Sequence, residues 1–141
     1  MTSPSTSPTS RPTLHRVALA QIAPVLADRQ RNVGLHLEQI KAARAQDADL
    51  IVFPELSLTG YFVRDMVPDV ALAPDAAEIR ELLDAAGPMA VVLGFVEESP
   101  QHRFYNTALY AEGGSIVHLH RKVSSASDRP AAPSRGRVRY R

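Results

Sequence analysis

The 141-residue chain contains no cysteine. That excludes disulfides, thiolate metal sites and a cysteine nucleophile supplied by these residues, and it leaves the redox compartment undetermined. Lysine is scarce: two of the sixteen basic residues are lysines, Lys41 and Lys122. No apolar run approaches the roughly 18 residues that a membrane helix needs. The opening stretch MTSPSTSPTSRPT has no apolar segment of the kind a secretory signal carries, so the expected location is the cytoplasm. Charge of one sign is lacking too, since the formal net charge is +1 and the whole-chain balance points to no partner. The charge is unevenly spread, however. Ser124 to Arg141 holds five arginines and one aspartate, a local +4, which leaves −3 for Met1 to Val123.

What is present divides into three regions. Residues 1–14 are rich in Ser, Thr and Pro, with almost nothing to bury, and read as a disordered leader. Residues 15–123 carry clear hydrophobic periodicity at an ordinary hydrophobic content of 45% for the chain. Residues 124–141, SSASDRPAAPSRGRVRYR, revert to Ser, Pro, Ala and Arg and read as a disordered tail. Five arginines can touch nucleic acid phosphates, but with a single aromatic, Tyr140, and no fold of its own the tail does not read as a nucleic-acid binder.

In the middle region, RVALAQI (16–22) is an apolar run fit for a strand buried on both faces. Val33, Leu37, Ile40 and Ala43 then recur at helical spacing, with Asp28 as N-cap. ADLIVFP (48–54) is a second buried strand, ended by Pro54, which cannot donate to a ladder. Ile79, Leu82, Leu83 and Ala86 form one face of a second helix bracketed by Pro74 and Gly87. MAVVLGFVEE (89–98) is a third strand. Phe104 to Tyr110 and Ser115 to Lys122 read as a hairpin joined through Gly113-Gly114. The order β-α-β-α-β-β-β implies an α/β domain with its sheet covered by helices.

In open α/β sheets ligands collect outside the carboxyl ends of the strands. Glu55 stands at one such end and Lys122 at another, so the two can face one cleft. A carboxylate there can act as a general base, its pKa raised by partial burial, and an ammonium can stabilise an oxyanion. Spacing alone equally allows a cap partner or half of an ion pair.

The motifs around these residues resemble those of the nitrilase, or carbon–nitrogen hydrolase, superfamily. VFPELSLTGY (52–61) is similar to the family's glutamate motif. VALAQIAPVLADRQRN resembles its opening strand and helix, VVLGFVEE its strand with a Gly-Phe-x-Glu ending, and FYNTALYAEGGSIVHLHRKV its Tyr-Asn hairpin leading into Arg-Lys. The quoted motifs cover residues 15–123. The resemblance implies the N-terminal part of a four-layer α-β-β-α sandwich, truncated here. It implies Glu55 as general base, Lys122 as the cation that stabilises the tetrahedral intermediate, and a downstream cysteine as nucleophile. It further implies a supporting role for Asn106 and Glu97 near the site. The substrate class is a small amide, carbamoyl compound or nitrile, amides being the better expectation. Neither metal nor cofactor is implied, nor nucleic acid or membrane as partner. Related enzymes commonly form homo-oligomers.

After Val123 the chain departs from the family pattern. The second glutamate and the cysteine are not there, and the Arg/Pro/Ala/Ser composition resembles GC-rich DNA read out of frame. The expectation is that coding DNA past codon 123, read in another frame, encodes the missing elements. Ser124 and Ser125 lack the Gly-x-Ser-x-Gly elbow of a serine nucleophile. The sequence therefore leaves three readings: an amidase-type hydrolase by ancestry, an inactive or partner-binding half-domain, and a remnant of the glutaminase domain of an NAD synthetase.

Several other residues need weighing. His118 and His120 share a strand face but lack a third metal ligand, so a solvated face is the better reading. Asn106 is either a hydrogen-bonding residue near the site or a surface asparagine. Glu97 either helps line the cleft or pairs with Arg103, and a structural role is favoured. Thr59 and Tyr61 are read as structural, and Phe62 and Arg64 are assigned no chemistry.

Overall fold

The structure is a computed structural model that describes residues 15–61 and 67–122. The leader assigned to 1–14, the tail assigned to 124–141, and Phe62 and Arg64 lie outside the described residues. Five strands form one mixed sheet in the order β1-β2-β3-β4-β5: β1 (Val17–Leu19), β2 (Leu50–Val52), β3 (Ala90–Glu98), β4 (Phe104–Glu112) and β5 (Ser115–Arg121). β1, β2 and β3 run parallel, with Ala18 opposite Ile51 and Ile51 opposite Val91. β3, β4 and β5 are antiparallel neighbours, with Leu93 opposite Leu109 and Leu109 opposite Leu119.

Helix α1 (Arg29–Ala45) starts where Asp28 accepts a hydrogen bond from the Arg31 backbone N–H at 3.0 Å, satisfying one of the free donors of the first turn. Helix α3 (Ala77–Ala86) buries Ile79, Leu82, Leu83 and Ala86 and stops at Gly87, whose φ of 59° suits glycine and whose N–H caps the Leu83 carbonyl. Both helices pack on one face of the sheet, where Ile51, Val91, Leu93, Phe95 and Leu109 are almost fully buried against Val33, Ile40, Leu82 and Leu83. A short helix not expected from the sequence, α2 (Val67–Val70), precedes α3. It delivers Leu72 alongside β3. There the Leu72 N–H reaches the Val96 carbonyl at 2.9 Å and the Glu98 N–H reaches the Leu72 carbonyl at 3.0 Å, so β3 stays paired beyond the end of the shorter β2.

The expectation that the first strand is buried on both faces is corrected. Val17 is 49% exposed and Leu19 76% exposed, because they point away from α1 and α3 and β1 is outermost in the described sheet. Helices α1 and α3 therefore cover one face; on the other, α2 covers only the end at Val96, and the rest is open among the described residues. No helix among them is long and apolar enough to cross a membrane.

Candidate active site

Glu55 sits where β2 ends. The Phe53 N–H still bonds to the Val92 carbonyl at 2.9 Å, and Pro54 then stops the ladder. The following turn is tightly bonded. The Leu58 N–H reaches the Gly94 carbonyl at 3.1 Å, the Gly60 N–H reaches the Leu56 carbonyl at 2.7 Å, and the Val96 N–H donates to Thr59 Oγ1 at 3.3 Å. Ser57, Leu58 and Thr59 are fully buried. Gly94 is required by close approach rather than by its φ: a Cβ there would lie 2.6 Å from the Leu56 nitrogen and 3.2 Å from the Glu55 Cα.

Two buried polar residues of α1 support this turn from below. Asn32 donates to the Leu58 carbonyl at 3.1 Å and exchanges two bonds with the Val25 backbone. His36 bonds through Nδ1 to the Asn32 carbonyl at 2.7 Å and through Nε2 to Ser57 Oγ at 2.9 Å. A carbonyl can only accept, so Nδ1 carries the proton and Nε2 accepts from the serine hydroxyl. Burial lowers the His36 pKa, in keeping with a neutral ring. The sequence reading overlooked both residues. Their signal was available, since polar side chains four apart share the stripe that carries Val33 and Ile40.

The second half of the site comes from the β4–β5 hairpin. Asn106 and Lys122 project onto the open face, as do Val92, Gly94, Ala108 and His120 along the paired strands. Asn106 Nδ2 donates to Glu55 Oε1 at 2.7 Å, and Lys122 Nζ donates to the same oxygen at 3.1 Å. Residues 51 and 67 apart in sequence from Glu55 thus converge on one carboxylate oxygen. Glu55 Oε2 takes no hydrogen bond among the described residues. The three side chains border a cavity of about 300 Å³ that Phe53, Gly94, Ala108 and His120 also line. Larger hollows exist elsewhere, one of about 610 Å³ at the opposite ends of the parallel strands, where Asp49 Oδ2 accepts the Arg16 backbone N–H at 2.7 Å and lies 3.8 Å from His15 Nδ1.

The Glu55 pKa is lowered, not raised as the sequence reading expected. The hydrogen bond from Lys122 contributes most, that from Asn106 next, and together they outweigh a burial that is slight because the side chain is 49% exposed. Glu55 is therefore ionised at neutral pH and able to accept a proton.

Glu97 lies on the helix-covered face, away from this cavity. It is almost fully buried and pairs with Arg121 rather than Arg103. Arg121 Nη2 reaches Oε1 at 2.6 Å and Nε reaches Oε2 at 3.0 Å, with Thr107 Oγ1 also donating to Oε2 at 2.7 Å. The reason is register. Arg121 stands opposite Thr107, next to Glu97 on the same face, whereas Arg103 precedes the ladder's last pair, Glu98 with Phe104. His118 and His120 are exposed, with ring centroids 6.5 Å apart. Among the described residues no three or more His, Cys, Asp or Glu side chains are grouped to hold a metal ion.

The chain is similar to several known proteins. The chain is 31% identical over 107 residues to a glutamine-dependent NAD(+) synthetase of Acinetobacter baylyi, covering 76% of this chain and 20% of the synthetase. It is 35% identical over 110 residues to an (R)-stereoselective amidase of a Pseudomonas species, covering 77% of this chain and 39% of the amidase. Its fold matches that of a variant amidase from Nesterenkonia sp. AN1, in which acrylamide has added at the active-site cysteine. That match has a TM-score of 0.67 at 25% identity, over 79% of this chain and 45% of that one. The chain thus spans less than half the length of each of these proteins. The carbon–nitrogen hydrolase family model matches residues 16–140, past the Val123 at which the quoted motifs end. With a family match over most of its length, and a sheet that carries those motifs into one cluster, the chain belongs to the carbon–nitrogen hydrolase family.

Proposed function

We propose that the Glu55–Asn106–Lys122 cluster is the base-and-cation half of a site that hydrolyses the carbon–nitrogen bond of small amides. The observation that carries this reading is the convergence of the Lys122 ammonium and the Asn106 amide on one oxygen of an ionised Glu55, at 3.1 and 2.7 Å, beside a cavity of a size for a small substrate. The second carboxylate oxygen is the proton acceptor. Lys122 holds the positive charge that a developing oxyanion needs, and Asn106 fixes the carboxylate's orientation.

In this reading Glu55 takes the proton of a thiol, and the thiolate attacks the amide carbon. The oxygen of the tetrahedral adduct gains negative charge next to Lys122. Collapse of the adduct breaks the carbon–nitrogen bond, and the proton held by Glu55 leaves with the nitrogen as ammonia or an amine. Water, giving its proton to Glu55, then releases the acid and restores the thiol. The Nesterenkonia amidase has an active-site cysteine, which supports a thiol nucleophile. The present 141 residues hold no cysteine, so the thiol has to come from a segment or chain other than these residues. The chain by itself is accordingly proposed to be inactive, a half-site awaiting its partner segment. Glutamine is the second substrate reading, favoured by the similarity to glutamine-dependent NAD(+) synthetases over three quarters of the chain.

The test is ammonia release from a panel of small amides including glutamine. The chain alone is expected to release none. Fused to the cysteine-bearing remainder of a related amidase, it is expected to turn over in a manner that Glu55→Gln and Lys122→Gln each abolish. Turnover that survives Glu55→Gln overturns the reading.

A further inference from the structure

Lys122 reaches Glu55 only because β5 carries one extra residue. The Gly113-Gly114 turn sets Ser115 opposite Glu112 and Ile116 opposite Ala111, but beyond it His118 is opposite Tyr110 and Arg121 opposite Thr107. Val117 is the additional residue, a β-bulge. Continuing the register of the turn without a bulge would set Arg121 opposite Asn106. Side chains alternate between faces, so a one-residue slip exchanges every side chain between the two faces of the sheet. In the unbulged register Arg121 would face Glu55, and Lys122 would turn toward Glu97. The turn therefore does not decide which of two adjacent cations enters the site.

Little else in β5 itself can decide it beyond Leu119, which is partly buried against the core opposite Leu109. Six of its seven residues are exposed, Val117 at 60%, and the strand is outermost in the described sheet. The distinguishing polar contacts are at Arg121. Its guanidinium makes two bonds to the buried Glu97 carboxylate and lies 4.2 Å from the centre of the Tyr105 ring. Thr107, the cross-strand partner of Arg121, donates to that same carboxylate. A planar fork fits this two-oxygen acceptor and stacks on the ring, and a lysine does neither as well. Its position next to Arg121 places Lys122 on the opposite face, where its backbone N–H bonds to the Asn106 carbonyl at 2.8 Å.

We propose that Arg121, anchored by Glu97 and Tyr105, is a positioning residue that selects the bulged register of β5 and so delivers Lys122, rather than itself, to Glu55. This rests on the reading of Glu55 and Lys122 as the working pair. Arg121 touches no reacting atom in this scheme and acts through the strand.

The experiment follows the Glu55 side-chain carboxyl by carbon-13 NMR titration in the full chain, alongside amide hydrogen exchange at Lys122 and thermal unfolding. Lys122→Gln sets the reference for a Glu55 without its cation. Arg121→Gln is expected to move the Glu55 titration upward by at least half of that reference change, and to raise the Lys122 amide exchange rate tenfold or more. Deleting Val117 removes the bulge while leaving His118 opposite Tyr110 and Arg121 opposite Thr107, so the turn alone then delivers Lys122, and adding Arg121→Gln to that deletion is expected no longer to move the Glu55 titration. Should Arg121→Gln not fold, Arg121→Lys supplies the same readings with the charge retained, and an upward move is expected there too. A lower melting temperature with Glu55 titration and Lys122 exchange unchanged overturns the proposal, as does a Val117 deletion in which Arg121→Gln still moves the Glu55 titration as far as it does with Val117 present. These readings report register and not turnover. A failure of the hydrolase reading, seen as activity that survives Glu55→Gln, is therefore distinguishable from a failure of this one.

Discussion

Adjacent residues of one strand, Arg121 and Lys122, pair with two glutamates on opposite faces of the sheet, and the two pairs are built differently. On the helix-covered face Glu97 is almost entirely buried and takes three hydrogen bonds from Arg121 and Thr107. On the open face Glu55 and Lys122 are about half exposed, at 49% and 61%, and meet through a single oxygen. A buried carboxylate needs its full set of donors, because a missing one leaves charge stranded in a poor dielectric. A half-exposed carboxylate can give up a donor to a ligand at small cost. The first arrangement suits holding strands together, and the second suits chemistry.

The comparison can be broken most forcefully at Glu97. Glu97→Ala is expected to destabilise the chain by roughly 2–3 kcal/mol, below the usual range for breaking a buried pair because the guanidinium is half exposed. Glu55→Ala is expected to change stability by less than about 0.5 kcal/mol. Urea denaturation of both variants reads the difference, and equal losses would erase the distinction. Gly94→Ala probes how the open-face carboxylate is placed. A Cβ 2.6 Å from the Leu56 nitrogen forces backbone to move, with an expected loss of about 1–3 kcal/mol and a weakened Glu55–Lys122 contact.

Acid titration sharpens the contrast. Both glutamate pKa values are lowered: that of Glu97 chiefly by its Arg121 hydrogen bonds, that of Glu55 chiefly by Lys122. A carboxylate with a depressed folded pKa contributes stability that is fully present above its ordinary value of 4.5 and is lost as pH falls through the folded value. Glu97→Gln is expected to flatten the decline in stability below that pH, and Glu55→Gln to leave most of it. A decline that depends equally on both residues would contradict the assignment of roles. The flanking donors are expected to matter less than the carboxylate of Glu97 itself. Thr107→Val costs about 1 kcal/mol by removing one donor from Glu97. Asn106→Leu leaves stability nearly unchanged while moving the Glu55 pKa upward, a change that carbon-13 titration detects.

Much of this was legible in the chain itself. The buried stripe of α3, Ile79, Leu82, Leu83 and Ala86, follows from 3.6-residue periodicity, and the exit of Glu55 from β2 follows from Pro54. Asp28 as the cap of α1 followed from residue type. Other features depended on cross-strand register, which local pattern does not contain. Arg103 is nearer Glu97 in sequence than Arg121, yet the ladder brings Arg121 to it. The direction of the Glu55 pKa depended on how many donors arrived from 51 and 67 residues away, not on how deeply a strand end is buried. An apolar run such as VALAQI signals a strand but not which faces are covered, and Val17 and Leu19 proved exposed.

By itself the sequence determined the five strands, helices α1 and α3, the Gly-Gly hairpin, and the chemical types at the strand ends of Glu55 and Lys122, because short-range sterics and hydrophobic period act within a few residues. Only the tertiary structure decided which cation meets which carboxylate, because a single bulge at Val117 sets the faces of everything beyond it in β5.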